Sequence, residues 1–357
     1  MKVLLVHPGA SWSTADVEAG LRYGLEKNGV DVVRYRLDTR FERSRDWLYS
    51  CWRRAKKRNP EITRPTTPDV VYQAGIGALE MALRQEVDVV LIVSAMLLHP
   101  DVIVMMRRAG LRTAVLFTET PYDIDKELNI AGMVDGCWTH ERAAVSTFRM
   151  VNQNCGYLPH AWHPERHYVG AASHDVPTHD VVFVGSGFSE RITWFNAIDW
   201  TGIDLGIYGS WKGFGLKPAL RSAVKAGNVD NSFASDLYRK ARIGLNLYRT
   251  KAGMGKAGPS LTHPAESLSP RAYELAACGS FHISAHRTEI PEVFGDLVPT
   301  FTTPKEAESL IWQWLANPDG RARVAAALPA CVAESSWVQR AACVIGDLEA
   351  LIRAKAA

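Results

Sequence analysis

Short apolar runs recur along the chain, and between them the apolar positions open out to the three- and four-residue spacing of amphipathic helices. Val3–Val6 forms the first run, followed by a helical pattern over Thr14–Asn28 that closes at Gly29 and a second run over Val30–Tyr35. The alternation continues with a helix over Val70–Arg84, a strand over Val87–Val93, a helix over Pro100–Ala109 and a strand over Thr113–Phe117. Gly136–Thr139 and Gly156–Leu158 read as short strands on either side of a helix over Glu141–Val151. Strands that alternate with helices in this way predict a parallel α/β sheet, since parallel neighbours need a long crossover between them. The first 160 residues therefore read as one Rossmann-like domain, 1–160.

The pattern then lapses. From Pro159 to His179 the chain is rich in proline, histidine and small residues without periodicity, which predicts a linker over 161–179. The histidine spacings there match no compact ligand set. A second domain, 180–334, opens with Asp180-Val-Val-Phe-Val-Gly185-Ser-Gly187, an apolar strand running into two glycines and then a helix. Further strands are predicted at Leu205–Tyr208, Ile243–Leu247 and Phe281–Ser284, with a helix over Phe233–Ala241. Residues 335–357 read as one long terminal helix, and Trp312, Trp314 and Trp337 as packing residues. Thr250–Thr262 is a glycine-rich loop, either a lid that closes over a ligand, with Lys251 or Lys256 meeting phosphate, or a plain connection.

Composition narrows the class. No stretch approaches the roughly 20 apolar residues of a membrane helix, and the apolar start is too short for a signal peptide. The six cysteines show no paired spacing, so neither a disulfide framework nor a zinc knuckle is indicated, and a cytoplasmic protein is expected. The net charge of +3 conceals a basic segment between Arg34 and Arg64, where eleven Lys or Arg stand against four acids. Trp47 and Trp52 are interleaved with Arg53, Arg54, Lys56, Lys57 and Arg58. Such a stretch fits a polyanionic partner and equally fits a solvated helix whose aromatics face inward.

The densest chemistry lies in Glu266-Ser-Leu-Ser-Pro-Arg-Ala-Tyr-Glu274, followed by Leu-Ala-Ala-Cys-Gly279. Two carboxylates eight positions apart bracket a Ser-Pro helix start, with Ser269 placed to cap free amides and Pro270 tolerated in the first turn. Glu274 then sits near a helix start, where a carboxylate can hold a ribose hydroxyl beside a bound diphosphate. Gly185, Ser186 and Gly187 would bring backbone amides close to phosphate oxygens, and Arg191 could fork onto a diphosphate. The segment reads as a nucleotide site.

These residues resemble the donor-site signature of GT-B glycosyltransferases. Together with Tyr238-Arg-Lys-Ala-Arg-Ile-Gly-Leu-Asn-Leu247 they resemble the CgeB-like, spore-maturation-protein type of branch, in which an Arg and an aromatic precede the second glutamate, as Arg271 and Tyr273 do here. Leu158-Pro-His160 is similar to the turn at the domain crossing of that fold. The resemblance implies an α/β GT-B fold of two Rossmann-like domains facing across a cleft, the last helix crossing back to the first domain. It implies sugar transfer from a nucleotide-sugar donor, expected to be a UDP-sugar, to a hydroxyl acceptor, with no cofactor.

On that basis Glu274 is assigned to the ribose, Glu266 to the donor sugar near the reacting carbon, and Arg191 and Arg271 to the diphosphate. Arg249, Ser269 and Tyr273 complete the expected donor contacts with the Gly185–Gly187 turn. Metal independence is expected, although Asp123-Ile-Asp125 is an acidic pair in a predicted loop that could hold a cation. For the acceptor base, His7 and Asp16 follow the first strand and Glu119 ends another; Glu119 ranks above Asp16, which suits a helix N-terminus. Retention is favoured, because the paired glutamates occur mainly among retaining enzymes of the fold. A DNA acceptor carrying hydroxymethylated bases and a surface glycan or protein are both compatible. Other classes stay open: a non-catalytic nucleotide-sugar-binding or scaffold protein, and a nucleotide-sugar epimerase.

Overall fold

In the computed structural model the apolar runs of the first half become the strands of a parallel sheet. The structure describes residues 1–9, 14–211, 215–250 and 264–356, so the expected lid lies almost wholly outside the described residues. The first half contains β1 (Lys2–His7), α1 (Ala15–Lys27), β2 (Asp31–Arg36), α2 (Leu37–Lys56), α3 (Thr67–Arg84) and β3 (Val89–Val93). It continues with α4 (Pro100–Arg108), β4 (Arg112–Phe117), α5 (Ile124–Ala131), β5 (Gly136–Thr139), α6 (Val145–Arg149) and β6 (Cys155–Tyr157). The strands pair in the order β2-β1-β3-β4-β5-β6, all parallel.

The second half contains β7 (Val181–Val184), α7 (Ser189–Ala197), β8 (Leu205–Tyr208), β9 (Val224–Ala226), α8 (Asn231–Lys240) and β10 (Ile243–Asn246). Then come α9 (Pro270–Ala277), β11 (His282–Ala285), α10 (Ile290–Phe294), β12 (Thr300–Phe301), α11 (Pro304–Leu315), α12 (Pro318–Cys331) and α13 (Trp337–Ala356). This sheet runs β12-β11-β10-β7-β8-β9, again parallel. Strands covered by helices on both faces explain why Val89–Val93 and Val3–Val6 are unbroken apolar runs rather than alternating ones.

The chain divides into two units, Met1–Leu158 with Val338–Ala357, and Pro159–Trp337. The terminal helix is thus built into the first unit, as the resemblance implied. Trp138 Nε1 donates to Asp347 Oδ2 at 2.8 Å, and Gly136 leaves room for Leu351. Where a helix was expected over Glu141–Val151, a 3-10 turn at Arg142–Ala144 precedes a short α6. The long α2 answers to the helical reading of the basic segment: Leu37 is buried, and Phe41, Leu48, Cys51, Trp52 and Ala55 follow it at helical spacing, half-buried. Trp314 packs on Phe281 and Trp337 is buried, but Trp312 is exposed, so its packing role is corrected.

Residues 161–179 belong to the second unit and are tied to α8. Asp236 is fully buried and accepts from Ser173 N and Oγ, from His174 N, and from Arg239 Nη1 at 2.5 Å, with His174 Nδ1 2.7 Å away. Arg239 in turn donates to the carbonyls of Arg166 and Tyr168. Burial alone would raise the Asp236 carboxyl, but the hydrogen bonds from His174, Ser173 and Arg239 outweigh it and hold the group well below the ordinary carboxylate range. A depressed folded-state value contributes stability above the unfolded value of about 3.9, and that contribution is lost as pH falls. Asp236→Asn is therefore expected to lower unfolding stability by about 3–5 kcal/mol, undiminished between pH 7 and 5. Urea titrations should show the gap to wild type narrowing once the pH drops below about 4.

Candidate functional site

The strand order of the second unit reverses between β7 and β10, since β8 and β9 lie on one side of β7 and the later strands on the other. Crossovers leaving in opposite directions open a crevice at the carboxyl ends of the two strands. Two arginines fill its floor. Arg271, in the first turn of α9, donates from Nε to the Val184 carbonyl at 2.8 Å and from Nη2 to the same oxygen. Its Nη1 reaches Asn246 Oδ1 at 3.2 Å and the Leu247 carbonyl at 3.4 Å. Arg191, in the first turn of α7, donates to the carbonyls of Ser186 and Leu247, both at 3.0 Å. Both guanidinium groups lie over the Phe183 ring, at 5.3 Å for Arg191 and 4.6 Å for Arg271.

Gly185 permits this approach. A Cβ at that position would stand 2.5 Å from Arg271 Nη2 and 3.3 Å from Arg191 Nη1. The phosphate-cradling reading of the turn is corrected by its hydrogen bonds. The Gly185 amide donates to the Tyr208 carbonyl at 2.8 Å and the Gly187 amide to the Ser210 carbonyl at 2.9 Å, so the end of β8 and the turn after it have already taken both donors. Gly187 serves packing, because a Cβ there would press on the Trp211 ring. Ser186 takes part through its carbonyl, as the acceptor for Arg191.

A residue not singled out from the sequence organises the polar floor. Asn246, the last residue of β10, is fully buried; its Nδ2 donates to Ser284 Oγ at 3.0 Å and its Oδ1 accepts from Ser269 Oγ at 3.1 Å. Ser269 is thereby diverted from the expected cap: its side chain makes no capping bond to α9. Tyr273 is also corrected, for it is 1% exposed and packs with Leu268, Ile290 and Phe294 in the core.

The paired glutamates stand on either side of this helix start. Glu274, one turn into α9, is 8% exposed, and burial together with its carboxylate pushes the Tyr238 hydroxyl above its ordinary value. Glu266 is half-buried on a segment pinned from the loop after β11. The Glu289 amide donates to the Glu266 carbonyl at 3.2 Å, Leu268 N donates to Glu289 Oε2 at 2.7 Å, and Arg287 Nη1 donates to the Ala265 carbonyl at 2.6 Å. Arg249 lies 5.5 Å from the Phe188 ring at the mouth of the same strand ends. The Val184, Asn246 and Leu247 oxygens that accept from Arg271 are uncharged. The arrangement suits an anionic ligand that also carries hydroxyls.

In the first unit the order reverses between β1 and β3. His7 ends β1 and is 1% exposed; burial is the main influence and lowers its pKa, which keeps the ring neutral at neutral pH. His7 Nε2 lies 3.9 Å from Glu18 Oε1, and Glu18 is gripped by Arg34 at 2.8 and 3.0 Å. After β3, Ser94, Ala95 and Leu97 all have positive φ, a strained run of the kind that gathers at ligand sites. Asp16 occupies the first turn of α1, where a carboxylate complements the helix dipole.

Glu119 is half-buried after β4, and its amide donates to Glu127 Oε1 at 2.9 Å. Glu127, missed from the sequence, is buried, and its carboxyl is pushed up to about 8 by desolvation while Thr120 Oγ1 donates to it at 2.5 Å. The acidic pair separates: Asp123 binds Lys126 at 2.7 Å and Asp125 is exposed in the first turn of α5. Among the described residues no group of three or more His, Cys, Asp or Glu is placed to hold a metal ion. The basic segment forms α2 and the turn after it, with Trp47 55% exposed, Lys56 over the Trp52 ring at 5.0 Å, and Arg53, Arg54, Lys57 and Arg58 exposed.

A family model described as glycosyl transferase-like matches residues 191–346. No curated protein matches the sequence. Among solved structures, sucrose-phosphate synthase from Thermosynechococcus elongatus is similar over 99% of this chain and 100% of that one, with a TM-score of 0.66 and 14% identity. A UDP-forming α,α-trehalose-phosphate synthase from Burkholderia vietnamiensis is similar over 100% and 99%, with a TM-score of 0.64 and 10% identity. A trehalose-6-phosphate structure from E. coli, bound with UDP-2-fluoro glucose, is similar over 98% and 99%, at 0.59 and 10%. The chain has the α/β fold of the GT-B glycosyltransferases.

Because Asn246 serves Ser269, Arg271 and Ser284 at once, truncating it leaves buried groups unpaired. Asn246→Ala is expected to lower the unfolding free energy by about 1–3 kcal/mol. Urea unfolding measures this, and an unchanged midpoint would show that the amide is dispensable.

Proposed function

We propose that this chain is a glycosyltransferase that moves a sugar from a nucleotide-sugar donor to a hydroxyl acceptor, with the donor seated at the β7–β10 switch point. The observation that carries this reading is the pair of arginines bridging the strand ends beside the buried Glu274. Loss of a nucleoside diphosphate from a sugar develops negative charge on the leaving oxygen. Preorganised positive groups aimed at that charge stabilise the transition state without reorganising. Arg191 and Arg271 are held in place by backbone carbonyls and take that role at the diphosphate, so no metal is needed for it. Glu274 accepts from the ribose hydroxyls and Glu266 from the donor sugar, as in the Glu-x7-Glu pattern of the CgeB-like branch.

A UDP-sugar is the first donor to consider, in keeping with the UDP-2-fluoro glucose held by the E. coli structure. Retention is the favoured outcome, since glycosyl transfer with retention is the chemistry described for trehalose-6-phosphate synthase. Retention also relieves the protein of supplying a strong base, and the half-buried Glu119 then orients the acceptor hydroxyl rather than deprotonating it outright. The acceptor is a hydroxyl-bearing molecule, with DNA, glycan and protein all admitted by the site chemistry.

In a panel of UDP-, GDP- and TDP-sugars, the true donor at a hundred times its dissociation constant should stabilise the fold by about 2.7 kcal/mol, read as a rise in melting temperature. Glu274→Ala should abolish that rise and leave no calorimetric binding, while the unliganded protein melts as a folded chain. Unchanged affinity in the folded variant would remove Glu274 from the donor site. An isomerised nucleotide sugar, with nothing passed to a second molecule, would replace transfer by epimerisation.

A further inference from the structure

Helix α2 is 20 residues long, yet only Leu37 in it is buried and it packs on α3. Arg40, Arg43, Trp47, Ser50 and Arg54 succeed one another at three- and four-residue steps, which places them on one face. The acids of the helix fall off that row, and two are already engaged: Asp38 with Arg36 at 2.8 Å and Asp46 with Arg45 at 3.0 Å. Arg40, Arg43 and Trp47 line a groove of about 280 Å³ whose other wall is Gln73, Gly77 and Glu80 of α3. Gly77 keeps the floor low, because a Cβ there would meet the Tyr35 hydroxyl at 2.6 Å. Arg40 to Arg54 spans about 21 Å along the helix at 1.5 Å per residue.

A row of guanidinium forks suits phosphates, which they bind in pairs of hydrogen bonds. An indole face left 55% exposed in the middle of the row suits a planar aromatic ring laid against it. A duplex keeps its bases inside the stack, and an anionic glycan carries no aromatic ring, so both features together favour a single strand over either of these. Arg53, Lys57 and Arg58, all exposed, extend the positive field beyond the row.

We propose that the α2–α3 face of the first unit binds single-stranded nucleic acid, with Arg40, Arg43 and Arg54 on the phosphates and Trp47 stacking an unpaired base. The site stands apart from the donor reading, which concerns the other unit, and its test reads binding alone.

Fluorescence anisotropy of a labelled short oligothymidylate, titrated with the full chain at several salt concentrations, decides it. Wild type should bind, and the affinity should fall steeply with salt. The double variant Arg40→Gln with Arg43→Gln should reduce the log–log salt slope by about 1.4, at about 0.7 per phosphate on a single strand. Trp47→Ala should weaken binding by about fivefold or more with the slope unchanged. These side chains lie on an exposed face, and melting temperatures check that each variant is folded. Absence of binding, binding untouched by Trp47→Ala, or equal affinity for a duplex or a polyuronate of matching charge would each overturn the proposal. Binding of the donor sugar should be the same in all three proteins, which separates this outcome from failure of the donor site.

Discussion

The second unit depends on the way Arg271 closes the gap between β7 and β10. Where a parallel sheet reverses its winding, the carbonyls at the ends of the two central strands lose their partners and need donors. One guanidinium reaches Val184, Asn246 and Leu247 together because its donors are fixed in a planar fork, and Arg191 adds bonds to Ser186 and Leu247. A lysine could not do the same from one position, since its ammonium is a single point. The surroundings follow from this bridge. Gly185 must lack a side chain to admit it, Phe183 offers a ring face beneath it, and Asn246 must present an amide oxygen toward it. A charged floor then exists before any ligand arrives, so no reorganisation is required of it when negative charge develops.

The strands of both sheets were legible because a doubly covered parallel strand must be an apolar run, and ten of them were read in the sequence. The two-residue β12 and the three-residue β9 carry too little pattern to be read. Helix α2 was harder to place, since its apolar stripe of Leu37, Phe41, Leu48, Trp52 and Ala55 is interleaved with basic residues that suit a polyanionic partner equally well. At the site, spacing singled out Glu266 and Glu274, and the family resemblance singled out Arg271. It could not reveal that Tyr208 and Ser210 claim the amides of the Gly185–Gly187 turn, because those partners lie a strand away in sequence. Asn246 looked like the polar end of an apolar strand, and only the fold shows Ser269, Ser284 and Arg271 converging on it.

Burial alters the chemistry of the first unit more than composition suggests. Glu119 was conspicuous in the sequence at a strand end, whereas Glu127 lies in a stretch to which no element was assigned. The fold buries Glu127 against the turn after β4, and desolvation keeps it protonated near neutrality. A neutral carboxyl there supports the Thr118–Thr120 strand end without adding charge, which leaves Glu119 as the partly accessible acid. His7 is likewise held neutral, chiefly by burial, with the positive charges of Arg34 and Arg36 opposing the pull of the nearby Glu18. The edge therefore offers hydrogen-bonding groups of low charge, in contrast to the cationic floor of the second unit.

That contrast bears on α2. A helix of 20 residues with one fully buried side chain and a half-buried apolar stripe gains only part of the tertiary packing that usually stabilises helices. Its local supports are modest: Asp38 in the first turn accepts from the Thr39 amide, and Arg53, Arg54 and Lys56 in the last turn complement the dipole. Those basic residues also repel one another, and Trp47 leaves more than half its surface in water. The stripe of Leu37, Phe41, Leu48, Trp52 and Ala55 serves packing, whereas the row of arginines and the exposed indole on the other face do not. The composition of this face is therefore better explained by what it meets than by what it holds together.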